Sequence, residues 1–81
     1  MTSREKVYQA IDGEREYQNQ RWASLDTQNT LKDYIDYMED YLGHARAALD
    51  SDDENRPLEM VRKVTALGVA TLEKFGAPER K

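Results

Sequence analysis

Aromatic rings and a histidine recur at helical spacing in the middle of the chain, and they are the residues best suited to bind a small molecule. Tyr34, Tyr37, Tyr41 and His44 lie three or four positions apart, so a helix places them on one side. Tyrosine rings can stack on a nucleobase or a sugar, and they are also enriched at contacts between subunits. Both interpretations stay open, and they are compatible if a pocket lies between subunits.

Acidic residues on the same helix offer a second kind of chemistry, because Mg²⁺ prefers carboxylate oxygens as ligands. Asp33, Asp36 and Asp40 project away from the apolar residues, as a solvated helix face does. We therefore predict no metal site, and we keep a Mg²⁺ site as the alternative. That alternative would use Glu14, Asp36, Glu39, Asp40 and Glu59.

No nucleophile and base can be paired from this sequence. It has no cysteine and one histidine, and His44 has no recognisable serine partner. Neither a glycine-rich phosphate loop nor a Walker motif is present. The lack of cysteine also excludes disulfides and a thiolate metal site. We therefore predict no catalytic residue and no cofactor.

The charge balance is acidic, with 16 Asp plus Glu against 12 Lys plus Arg and a formal net charge of -4. A protein that binds nucleic acid through phosphate contacts needs a basic surface instead. The charged N-terminal residues are not followed by an apolar segment, and no stretch is long enough to span a bilayer. We expect a cytoplasmic protein with neither nucleic acid nor a membrane as partner.

Three helices in a single domain, residues 1–81, must position these side chains. Thr2 with Glu5, and Thr30 with Asp33, have the spacing of a capping box at a helix start. Apolar periodicity and the flanking polar segments then define the elements. We predict helices at about residues 3–21, 30–49 and 57–75.

Each predicted helix carries one apolar stripe, and the first of them includes polar side chains. Arg15 and Gln18 fall within that stripe, and Glu14 lies on its edge. Pro57 suits the first turn of the third helix, and Gly76 suits its end. The predicted stripes are Val7, Ile11 and Trp22 in the first helix, Leu31, Ile35, Met38, Leu42, Ala45 and Leu49 in the second, and Val61, Val64, Gly68, Leu72 and Phe75 in the third.

The third predicted helix is apolar on every side, because residues 64–72 contain no charge. A helix that is apolar all round is normally buried all round, and two further helices of a short chain cannot enclose it. A chain of 81 residues without disulfides usually needs partner subunits. We therefore predict an all-α, three-helix antiparallel unit whose helix pairs pack into a bundle with partner subunits, as a homo-oligomer of two or more chains.

Three stretches of this sequence together resemble one known family. They run from Ile11 to Trp22, similar to an ER-x-x-Q-x-x-(K/R)-W opening, from Asp40 to Leu49, and from Met60 to Glu73. The family is the MazG-like group of all-α nucleoside triphosphate pyrophosphohydrolases, particularly the short forms common in bacteriophages. The resemblance covers most of the chain and implies the same helical fold.

The resemblance also implies a metal site, which this sequence does not preserve. Active relatives hold Mg²⁺ with two pairs of acids spaced i, i+3 on neighbouring helices. The aligned positions here are Tyr41, His44, Met60 and Lys63, and none of them is a carboxylate. These substitutions remove the charge that would repel a bare phosphate, and they add a flat ring and a cation.

We therefore predict a non-catalytic, oligomeric nucleotide-binding protein that sequesters a nucleotide or a nucleotide-derived immune signal, in the host cytoplasm if the chain is phage-encoded. One alternative is a Mg²⁺-dependent pyrophosphohydrolase that uses the acids named above. Another is a phage accessory protein that acts through protein contacts. The predicted ligand-binding residues are Arg15, Gln18, Trp22, Tyr34, Tyr37, Tyr41, His44 and Lys63.

Overall fold

The computed structural model describes residues 2–26 and 28–80, apart from the side chains of residues 23–26. Its elements are three α-helices, α1 (Arg4–Asp26), α2 (Leu31–Ala48) and α3 (Asn55–Phe75). No strand occurs within these described ranges. The predicted all-α fold class is therefore confirmed. No described helix is long and apolar enough to cross a membrane.

The first helix differs from the prediction at both of its ends. The backbone N–H of Lys6 donates to Ser3 Oγ at 3.3 Å, so Ser3 caps α1 where Thr2 was predicted to do so. The helix continues to Asp26, although the sequence predicts a loop from Ala23 onward. No glycine or proline follows Arg21 to stop the helix there, and polar residues alone do not end one.

The second and third helices have the predicted signals at their ends. The backbone N–H of Asp33 donates to Thr30 Oγ1 at 3.2 Å, and that of Thr30 donates to the Asp33 carboxylate at 2.9 Å. This reciprocal pair confirms the capping box of α2. Helix α3 contains Pro57 in its first turn and ends before Gly76, whose φ of 114° favours glycine.

Helix α3 lies centrally and packs against both other helices, whereas the described backbones of α1 and α2 do not touch each other. The start of α2 lies beside the end of α3, with the Tyr34 and Phe75 rings 5.9 Å apart and edge to face. The two helices therefore run antiparallel. The core formed by all three helices consists of Tyr34, Leu67 and Ala70, with Trp22, Met38 and Tyr41 packed against it.

The predicted core stripes of α2 and α3 are largely wrong within the single chain. Tyr34, predicted for a neighbouring stripe, is only 3% exposed. The other buried apolar residues of these two helices are Leu67, Ala45, which the prediction did place in the α2 stripe, and Ala48, Ala66 and Ala70. The larger side chains of the predicted stripes turn outward with exposures of 43% to 68%, and these are Leu31, Ile35, Leu42, Leu49, Val61, Leu72 and Phe75.

Polar contacts attach α1 to α3. The buried Glu14 carboxylate accepts a hydrogen bond from Arg62 Nε at 2.9 Å, and Arg15 Nε donates to Glu73 at 3.0 Å. Ile11 is buried beside them, while Val7 at the start of the predicted stripe is exposed. The predicted polar residues within the α1 stripe therefore contact α3 directly.

We expect Arg62→Met to lower the free energy of unfolding by about 1–3 kcal/mol, because it leaves the Glu14 carboxylate buried without a cation. Glu14→Gln should lower the free energy of unfolding by less, since the glutamine amide has the shape of the carboxylate and removes the buried charge. Urea denaturation measures both changes. The control is Arg46→Met at an exposed position of α2. An equal loss for Arg62→Met and Arg46→Met would contradict this account.

Candidate functional site

A cavity of about 360 Å³ occupies the space between α1 and α2, above α3. It exists because the backbones of α1 and α2 diverge on either side of the central helix. Its volume is in the range of small-molecule sites. It is formed within one chain, and its lining comprises Trp22, Gln28, Asn29, Tyr34, Tyr37, Asp40, Tyr41 and Leu67.

Four of the eight described lining residues are aromatic. The Tyr34 and Tyr37 rings pack edge to face, with centroids 6.4 Å apart and planes at 79°. The Tyr37 hydroxyl donates to Asn29 Oδ1 at 3.2 Å, and this bond connects the segment between α1 and α2 to helix α2. Trp22 from α1 and Tyr41 from α2 are half-buried and pack against the core. The rings thus present flat apolar faces whose positions are set by packing.

The described cavity lining also includes polar side chains. Gln28 and Asn29 come from the segment between α1 and α2, and their amides can both donate and accept hydrogen bonds. The Asp40 side chain is 77% exposed, and its carboxylate lies 3.7 Å from His44 Nε2. The lining therefore combines aromatic faces with two amides and one acceptor-only carboxylate.

A cation that sequence reasoning did not single out lies beside this lining. Lys74 Nζ donates to the backbone oxygen of Asn29 at 2.7 Å and lies 5.5 Å from the centroid of the Tyr34 ring. Its position follows from the antiparallel pairing of α2 and α3, which brings the end of α3 beside Asn29. Predicting the antiparallel pairing of α2 and α3 from the sequence would have indicated the position of Lys74.

A second, smaller cavity of about 20 Å³ lies next to the first. Both cavities share Trp22, Tyr34 and Leu67 in their linings. The small one is completed by Arg15, Gln18, Asn19 and Ala70. Gln18 Nε2 donates to the backbone oxygen of Lys63 at 3.3 Å. Within the described residues, neither Gln18 Oε1 nor the Tyr34 hydroxyl has a hydrogen-bond partner.

Six of the eight predicted ligand-binding residues line one cavity or both. Trp22, Tyr34, Tyr37 and Tyr41 line the large cavity, whereas Arg15 and Gln18 line the small one. The other two residues line neither cavity. His44 is exposed and packs its ring against that of Tyr41, and Lys63 meets Gln18 through its backbone oxygen.

The acids of the alternative metal site lie apart from one another. Glu14 pairs with Arg62, and Asp36 pairs with Lys32 at 2.8 Å. Asp40 lines the large cavity, Glu39 is exposed and Glu59 is half-buried. In the part of the chain that the structure describes, no group of three or more histidines and acids could hold a metal ion.

Comparison of the chain with protein-family models, with curated proteins and with solved structures finds no match. The resemblance to the MazG-like group therefore stays a prediction.

The ion pair beside the small cavity makes stability depend on pH. The hydrogen bond from Arg15 holds the pKa of Glu73 below its ordinary value of 4.5, and the guanidinium charge acts in the same direction. A carboxyl whose pKa is lowered on folding stabilises the fold above its unfolded pKa. This contribution is lost as the pH falls through the folded pKa.

We expect Glu73→Gln to be less stable than the wild-type chain at about pH 7, and we expect this difference to be smaller at about pH 3, because the charged pair is lost as the pH falls through the lowered pKa of Glu73. Urea denaturation at the two pH values measures the difference in unfolding free energy between the two proteins. The contributions of the other acids are the same in both proteins and cancel. A difference that does not shrink in acid would rule out an ionic contribution from this pair.

Proposed function

We propose that this protein binds a nucleotide without hydrolysing it, with the base held in the aromatic cavity. The observation that carries the proposal is the lining, in which Trp22, Tyr34, Tyr37 and Tyr41 surround about 360 Å³. Stacking of a base on an aromatic side chain contributes about 1–3 kcal/mol. The cavity is large enough for a base together with part of its sugar.

The polar residues of the lining suit the edge of a base. The amides of Gln28 and Asn29 provide donors and acceptors, and the Asp40 carboxylate accepts hydrogen bonds from N–H groups. No lysine or arginine is among the described lining residues, so the phosphates would lie outside them. Lys74 supplies positive charge there, since it contacts Asn29 and the Tyr34 ring.

Binding without hydrolysis is supported by where the acids lie. Glu14 and Asp36 are each paired with a basic side chain, and they do not converge with Glu59 on one point. One of the positions that aligns with a metal ligand of the MazG-like group is Tyr41, which lines the cavity as a ring. Such a protein would hold a nucleotide or a nucleotide-derived signal intact and lower its free concentration, in the host cytoplasm if the chain is phage-encoded.

We expect calorimetric titration with nucleoside monophosphates, nucleoside triphosphates and cyclic dinucleotides to detect binding of at least one of them. Tyr37→Ala should weaken that binding about tenfold, since it removes one stacking ring. The control Tyr8→Ala, outside the cavity, should bind as the wild-type chain does. Lack of heat with every nucleotide, or release of pyrophosphate from a bound triphosphate, would exclude the proposal.

A second candidate ligand is an organic cation, because four rings and a carboxylate also suit a quaternary ammonium group. The observation that favours it is the presence of Asp40, with no lysine or arginine among the lining residues that the structure describes. Titration with choline, repeated on Asp40→Asn, separates the two ligand classes. The substitution should abolish binding of a cation, but it should leave binding of a nucleotide unchanged or stronger, since it removes a charge that repels phosphate.

Self-association is the second part of the proposal. The exposed apolar residues of α2 and α3 form two stripes that meet where Met38 lies 4.0 Å from the position of a Cβ on Gly68. Monomeric proteins rarely leave contiguous apolar surface of this kind uncovered. A second copy of the chain offers the same stripes and would cover them in a symmetric contact.

We expect sedimentation equilibrium at micromolar concentration to give a multiple of the chain mass of 9.4 kDa. Leu42→Asp, which places a charge in the α2 stripe, should shift the protein to monomer because a charge is costly to bury. The matched control is Gln9→Asp on the exposed part of α1. A wild-type particle of 9.4 kDa would contradict the proposal.

A further inference from the structure

Two side chains that line the small cavity each contain a buried polar atom without a partner within the described residues. Gln18 is 2% exposed and Tyr34 is 3% exposed, and the atoms concerned are Gln18 Oε1 and the Tyr34 hydroxyl. Folded proteins satisfy most such groups, because burial removes the hydrogen bonds that water would otherwise make. An unsatisfied pair that borders a cavity therefore points to a group that enters from outside.

The geometry limits what that group can be. The cavity of about 20 Å³ has room for one small polar group of the size of a water molecule. The bond from Gln18 Nε2 to the backbone oxygen of Lys63 orients the amide, so the free atom is its acceptor oxygen. The Tyr34 oxygen can accept a hydrogen bond as well. Gln18 Oε1 can only accept, whereas the Tyr34 hydroxyl can accept or donate, so the cavity suits a single atom that carries at least one hydrogen.

We propose that this small cavity takes the exocyclic amino group of a nucleobase whose ring lies in the large cavity, an inference that rests on the proposed function. The two cavities share Trp22, Tyr34 and Leu67, so a base that contacts these side chains borders both. One N–H would donate to Gln18 Oε1 and the other to the Tyr34 oxygen. Adenine, guanine and cytosine carry such an amine.

The same arrangement excludes other groups. A base with a carbonyl in place of the amine could accept from the Tyr34 hydroxyl, but its oxygen would meet the Gln18 oxygen, and two acceptors repel each other. A charged ammonium group is disfavoured because the guanidinium of Arg15 lines the same cavity. A neutral aromatic amine meets both conditions.

The test compares adenosine monophosphate with inosine monophosphate, which has a carbonyl where adenine has its amine. We expect the wild-type chain to bind the adenine nucleotide about tenfold more tightly, because a site built for a donor rejects an analogue without it. Tyr34→Phe should reduce this ratio to about threefold or less, since one acceptor is lost while the ring remains. Tyr8→Phe, exposed and outside both cavities, is the control and should keep the full ratio.

Thermal unfolding of the ligand-free proteins supplies an independent measurement. Tyr34→Phe should be as stable as the wild-type chain or more stable, because it removes a buried hydroxyl that has no partner. A clear loss of stability would mean that a buried water already satisfies the hydroxyl, and it would overturn the inference. Equal wild-type binding of the two nucleotides would overturn it too, while leaving the proposed function in place. If neither nucleotide nor any other binds the wild-type chain, both fail.

Discussion

The packing of the Tyr34 ring of α2 against the end of α3 is the contact on which the other features depend. The ring meets Phe75 edge to face and packs against Leu67 and Ala70, so it sets how α2 lies on α3. It also lines both cavities. Because the same side chain belongs to the core and to the site, the core and the site cannot be changed independently at this position.

Features that depend on a few neighbouring residues could be predicted from the sequence. The capping box of Thr30 and Asp33 and the stop at Gly76 are local, and both form as expected. Apolar periodicity shows that a helix face avoids water, but it does not show which partner covers that face. Leu42 is therefore exposed in the single chain, while Tyr34 is buried. Ala48, Ala66 and Ala70 are buried as well, although periodicity weights alanine less than leucine.

The site was predicted where its residues follow one helix and missed where it depends on tertiary pairing. The rings of Tyr37 and Tyr41 could be placed together because a helix fixes their spacing. Asn29 and Lys74 are far apart in the sequence and come into contact because α2 and α3 pack antiparallel. Sequence motifs carry no information about this pairing, so the contact was missed. His44 continues the tyrosine spacing, but its exposed ring packs against that of Tyr41 and is not part of the cavity lining.

The attachment of α1 differs in kind from that of α2. Hydrogen bonds and ion pairs from Glu14, Arg15 and Gln18 join α1 to α3 in addition to the packing of Trp22, whereas the ring contact of α2 with α3 is between two aromatic side chains. Dissolved ions screen partly exposed charged contacts and leave apolar burial intact or strengthen it. Within the α1 attachment, salt therefore weakens the Arg15–Glu73 pair, whose carboxylate is exposed, more than the pair of the buried Glu14 carboxylate with Arg62.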